Sequence, residues 1–106
     1  MPSRTDLTPS AAVAAAARKG LELRERFGRG GTEVGIKRAQ GLAARRPVSE
    51  DDIRHIASYF ARHEVDKGAH THAWGDDDNP SAGYIAWLLW GGDEGRAWAE
   101  RVKAKL

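Results

Sequence analysis

Apolar residues return along most of this chain at spacings of three and four, the period of a helix with one buried face, and no stretch alternates as a half-buried strand would. Thr8-Pro9 reads as an N-cap followed by proline at the first helical position. Val13, Ala16, Gly20, Leu23 and Phe27 then recur at helical spacing until Gly28 stops the run. Thr32 caps a second helix over residues 33–44, with Ile36, Ala39, Leu42 and Ala43 on its modest apolar face. Gly35 and Gly41 inside it each cost about 1 kcal/mol relative to alanine, so this helix depends on close packing against a neighbour.

The third start signal is the clearest. Ser49 with Asp52 three residues later makes a capping box, and Glu50, Asp51 and Asp52 complement the positive end of a helix whose core stripe is Ile53, Ile56, Ala57, Phe60 and Tyr59. Lys67-Gly68 ends it. Residues 68–80, GAHTHAWGDDDNP, have no period of either kind and read as a long loop. Ser81 restarts a helix through Trp90, Gly91-Gly92 turns the chain, and Asp93 caps a last helix carrying Ala97, Trp98 and Val102. The expectation is an all-α, compact single domain over residues 1–106, built from about five short helices with a C-terminal αα-corner and a flexible tail at residues 1–7.

In the stretch SAGYIAWLLW, apolar side chains surround the helix on nearly every side, the pattern of an element enclosed by others. Trp87 and Leu88 are therefore expected in the core. Trp90 and Trp98 are expected to be only partly buried, since tryptophan is seldom fully enclosed.

Composition narrows the picture. At 106 residues the chain has room for one core, and without cysteine it has neither disulfides nor thiolate metal sites. The apolar run at residues 84–90 is far shorter than the roughly 20 residues that span a bilayer, so no membrane association is expected. The alanines at residues 11–17 lead straight into Arg18 and Lys19, which reads as a helix and not as a secretion signal. Net charge is only +2, but residues 1–47 carry +6 and residues 48–106 carry −4. Either one side faces a polyanion, or the two halves attract one another across the domain.

The candidate chemistry lies in RERFGRGGTEVGIKRAQGLAARR. A glycine-rich turn feeding a helix N-terminus exposes backbone N–H groups suited to phosphate. Arg29, Gly30, Gly31 and Thr32, with Lys37, Arg38, Arg45 and Arg46, make a candidate nucleic-acid site. A nucleotide P-loop is excluded by the spacing, by the missing Lys-Ser/Thr and by the lack of a preceding strand. The alternative is that the glycines simply turn the chain and the cations form a solvated face. His70 and His72, with His63, Asp66, Asp76, Asp77 and Asp78 nearby, match neither zinc-finger nor HExxH spacing, and DDDN lacks the glycine and terminal Glu of an EF-hand loop. No metal and no cofactor are expected. His63, Glu64, Asp93 and Glu94 are acids and bases without a nucleophile beside them, which argues against an enzyme.

The motifs GRGGT, SYFARHEVDK, PSAGYIAWLLWGGD and GRAWA, spread from about Ala15 to Val102, resemble a small domain of tailed-bacteriophage proteins. That domain occurs alone or appended to other phage proteins such as prohead proteases. The chain departs from its pattern at residues 69–79, where the family usually has a Lys/Gly-rich segment. The resemblance implies a phage accessory module working in the host cytoplasm or the virion, with no settled activity of its own.

A module appended to different proteins fits binding better than catalysis, and the basic first half suits DNA. The leading expectation is thus nucleic-acid binding through phosphate contacts around GRGGT, with Trp74 or Trp90 stacking on single strands. The second is a protein-binding or virion structural module anchored by exposed Trp90, Trp98 and Tyr59. The third is an inhibitor of a host enzyme whose working face is acidic: Glu50, Asp51 and Asp52 with Asp76, Asp77 and Asp78.

Overall fold

Ser10, not Thr8, starts the first helix. In the computed structural model, which describes residues 7–64, 75 and 77–106, helix α1 spans Ala11–Phe27 and the Ser10 hydroxyl accepts from the Val13 N–H. Had Pro9 been the first helical residue, its carbonyl would have received that N–H. Instead Pro9 is buried ahead of the helix and its carbonyl accepts from Arg45 Nε at 2.8 Å. The helix ends at Gly28, whose left-handed φ of 64° lets its N–H return to the Arg24 carbonyl.

Helix α2, Glu33–Ala43, begins at Thr32 as expected, the Thr32 side chain accepting from the Gly35 N–H. Helix α3, Glu50–His63, has the complete Ser49/Asp52 capping box, each bond 3.0 Å long. The expected stop at Lys67-Gly68 lies outside the described residues. Helix α4, Ala82–Leu89, is capped by the buried Ser81 hydroxyl. Helix α5, Gly92–Lys103, follows across Trp90 and Gly91 alone. Asp93 does not cap it: Gly91, at φ 113°, holds the N-cap position without any side-chain bond, and its carbonyl takes the first helical N–H, from Gly95. The Asp93 carboxylate instead accepts the Trp87 indole N–H at 2.9 Å. Its sequence position is that of a cap, but the tight corner moves the helix start back two residues.

The fold is all-α, with no strand among the described residues. Helix α1 packs on α2, α4 and α5, α3 packs on α5, and α4 also touches α2 and α5. Helix α4 is therefore enclosed, and Ile85, Trp87, Leu88 and Leu89 are all in the core with Leu42, Ile53, Ile56 and Phe60. Trp87 and Leu88 sit where the periodicity predicts. Trp98 does not: it is 5% exposed, packed into the same core. Tyr59, at 6% exposed, is likewise no surface anchor.

Among the described residues two ion pairs join the basic half of the chain to the acidic half: Lys19 to Asp77 at 2.8 Å and Arg38 to Asp52 at 3.0 Å. Lys19 hydrogen-bonds Asp77 and, despite partial desolvation, the carboxyl is held below its ordinary value. Burial pushes Asp52 up, but the Ser49 N–H and the Arg38 guanidinium outweigh it and also leave it lowered. A lowered folded-state carboxyl contributes stability that is present above the ordinary aspartate range and lost as pH falls through the folded value. The melting temperature should therefore hold from neutrality towards pH 4 and fall below it. Asp77→Asn should flatten part of that acid slope at a cost under about 1 kcal/mol, because both partners are roughly half exposed and solvent screens them. Melting curves between pH 2 and 7 check this; an Asp77→Asn slope equal to the parent's would contradict it.

Candidate binding site

The glycine bend has a packing explanation. Gly30 and Gly31 have φ of 90° and 78°, accessible to glycine at little cost. A Cβ at Gly30 would come within 2.7 Å of Ile85 Cβ and 3.0 Å of the Ala82 carbonyl, and one at Gly31 would strike Leu89 Cδ1. The bend lies directly on α4, with the Gly30 carbonyl accepting from Arg24 Nε at 3.1 Å. Thr32, the next residue, uses its hydroxyl oxygen to cap α2.

Nor do the five expected phosphate ligands gather there. Arg29 donates to the Pro80 carbonyl and to Asn79 at the entry to α4. Arg38 is mostly buried, paired with Asp52 and set 5.5 Å from the centre of the Trp90 ring. Arg45, in a left-handed conformation at φ 54°, holds the Pro9 carbonyl. Arg29 and Arg45 thus anchor opposite ends of α1, whose 17 residues span about 25 Å. Lys37 and Arg46 remain exposed and unpaired among the described residues. Three of the five cations hold the fold together, and the set does not converge on the bend.

A groove bordering the bend is better formed. About 470 Å3 in volume, it opens between the last turn of α3 and the outer side of α4, with Gly31 and Thr32 closing one end. Its α4 wall is Ala82, Gly83, Ala86 and Trp90, residues one turn apart on a helix that carries no charged side chain. Surface-facing helix positions are normally polar, so a small apolar stripe here is unusual. The opposite wall is Tyr59, Arg62 and His63. The Tyr59 ring stacks on Trp90 at 4.5 Å and 8°, and lies 4.5 Å from the His63 ring, which explains why it is buried.

Trp90 is half-buried, and its indole N–H finds no acceptor among the described residues. It points past α2's first turn, where a Cβ on Gly35 would come within 3.3 Å of Nε1. Arg62 is exposed and has no ion-pair partner among the described residues. Among the described residues no acidic side chain lines the groove. Of the four aromatic residues expected to stack or bind, Trp90 and Tyr59 both line this groove, Trp90 half-buried and Tyr59 only 6% exposed; Trp98 is in the core and Trp74 lies outside the described residues.

A second cavity of about 420 Å3, beside Lys19, Tyr84, Trp87, Asp93 and Glu94, has most of its polar groups engaged by the fold, Lys19 and Tyr84 on Asp77 and Asp93 on Trp87. Among the described residues no three His, Asp or Glu side chains gather as metal ligands; His70, His72 and Asp76 lie outside them. No described helix is long and apolar enough to cross a membrane.

Arg62 and the Ala82–Gly83–Ala86 stripe were not singled out by sequence reasoning. The signal was present: PSAGYIAWLLW is charge-free, and residues 82, 86 and 90 repeat every four. No protein family, no curated protein and no solved structure matches this chain.

Proposed function

We propose that this domain is a non-catalytic accessory module that binds a protein partner in the Trp90 groove, in the tailed-phage setting that its motifs resemble. The observation carrying this reading is the uncharged stripe of Ala82, Gly83 and Ala86 leading to the half-buried Trp90. Small residues admit a partner's backbone close to α4, and an aromatic at the end of such a wall is a usual anchor in interfaces. Nucleic acid becomes the weaker candidate because Arg29, Arg38 and Arg45 are tied to the domain's own groups. An acidic inhibitor face is also weakened, since Asp52 and Asp77 are paired internally.

The test places a charge in the groove without touching the core. Ala86→Glu, at a half-buried position, should abolish binding of peptides selected on the parent protein while leaving its melting temperature within a few degrees. Retained binding would refute the site. If instead duplex or single-stranded DNA binds with a steep salt dependence, survives Ala86→Glu and is lost on Lys37→Glu with Arg46→Glu, the nucleic-acid reading replaces this one.

A further inference from the structure

We infer that the segment this groove takes is extended and acidic, with a carboxylate set against Arg62 and a backbone carbonyl received by the Trp90 indole N–H. The inference rests on the groove being the partner site, and adds the chemistry of the occupant.

Charge decides the first half. Among the described lining residues the ionisable side chains are Arg62 and His63, and none is acidic. Arg62 keeps a full guanidinium fork with no carboxylate on it among the described residues, although Arg96 and Arg54 nearby in sequence or space each hold two. A planar fork of this kind pairs best with a carboxylate or phosphate. A basic or neutral segment would leave it without a partner.

Geometry decides the second half. The Trp90 N–H is a donor with no acceptor in the described chain, at the end of a wall made of residues with little or no side chain. An extended backbone lying along Gly83 and Ala86 presents carbonyls to that edge. A nucleic-acid strand fits less well on two counts. The indole is already stacked on the Tyr59 ring and overlain by the Arg38 guanidinium, so a base would have to displace one of them to stack. A phosphate backbone also needs several free cations along its path, and among the described lining residues Arg62 is the one arginine.

The experiment is selection of a random peptide library on the full-length chain, on Arg62→Glu and on Ala86→Glu, followed by anisotropy titration of the enriched peptides. Peptides from the parent should carry Asp or Glu at a fixed position, Arg62→Glu should enrich Lys or Arg there, and Ala86→Glu should enrich none of them. For a synthesised parent peptide, Arg62→Ala should weaken binding roughly tenfold, about 1.4 kcal/mol. Trp90→Phe, which keeps the stack on Tyr59 and removes the N–H, should weaken it several-fold with little change in melting temperature. Groove-dependent peptides without a preferred acidic position would overturn this inference and leave the proposed function standing. Failure to enrich any peptide, or displacement of the peptides by oligothymidylate at low concentration, would overturn both.

Discussion

Trp87→Ala should cost about 3–5 kcal/mol and lower the melting temperature by more than roughly 10 °C. Trp87 is 1% exposed and is the largest fully enclosed side chain. Its ring meets Phe60 edge-on at 4.7 Å, and its N–H is received by Asp93 across the α4–α5 corner. Truncation opens a cavity between α3, α4 and α5 that the surrounding helices cannot close without losing their own contacts. A chain of 106 residues has a total stability of roughly 5–15 kcal/mol, so this one change removes a large share of it. Trp87→Phe separates the contributions: the ring contact with Phe60 is largely kept, the hydrogen bond is lost, and half-exposed surroundings let Asp93 return to water. That variant should cost nearer 1–2 kcal/mol. Urea denaturation measures both, and a loss below 1 kcal/mol for Trp87→Ala would mean that α4 is not the centre of the core.

Signals that act within one turn of chain were legible in the sequence. The Ser49/Asp52 box, the Thr32 cap and the Gly28 stop each involve groups within four residues of one another, and each stands as predicted. Errors arose where a distant residue decides between two acceptable local choices. Thr8 and Ser10 are both good caps, and the choice accompanies a bond from Arg45, 36 residues away, to the Pro9 carbonyl. Asp93 has the sequence position of a cap, yet the two-residue corner and the Trp87 N–H give it another role.

The packing role of the glycine bend and the pairing of its neighbouring cations were illegible for the same reason. A glycine pair before a helix looks alike whether it leaves room for a phosphate or for a neighbouring helix, and only the position of Ile85 and Leu89 against the bend distinguishes them. Counting cations in residues 1–47 likewise ignores that Asp52, Asp77 and the Pro80 carbonyl arrive from the other half to hold Arg38, Lys19 and Arg29. Of the two explanations for the uneven charge, attraction between the halves is the one with pairs to account for it.

Two glycine-to-alanine changes in helices should have opposite signs. Gly41→Ala in α2 should stabilise by up to about 1 kcal/mol, because alanine is the better helix former and the added methyl meets nothing within 4 Å. Gly20→Ala in α1 gains the same propensity but should still destabilise by about 1–3 kcal/mol net. There the added Cβ would lie 2.8 Å from the Leu89 backbone nitrogen and 2.9 Å from Leu88 Cβ. The obstruction is main chain and the root of a side chain, so no rotamer change relieves it; α1 and α4 must separate. Separation loosens the seam where Val13, Ala17 and Leu23 meet the apolar face of α4, and Gly20→Val should widen it further and cost more. Parallel urea curves for the three variants decide the matter. If Gly20→Ala stabilises as Gly41→Ala does, the two helices do not approach as closely as described, and the enclosure of α4 that leaves only its Ala82, Gly83, Ala86 and Trp90 side open would have to be redrawn with it.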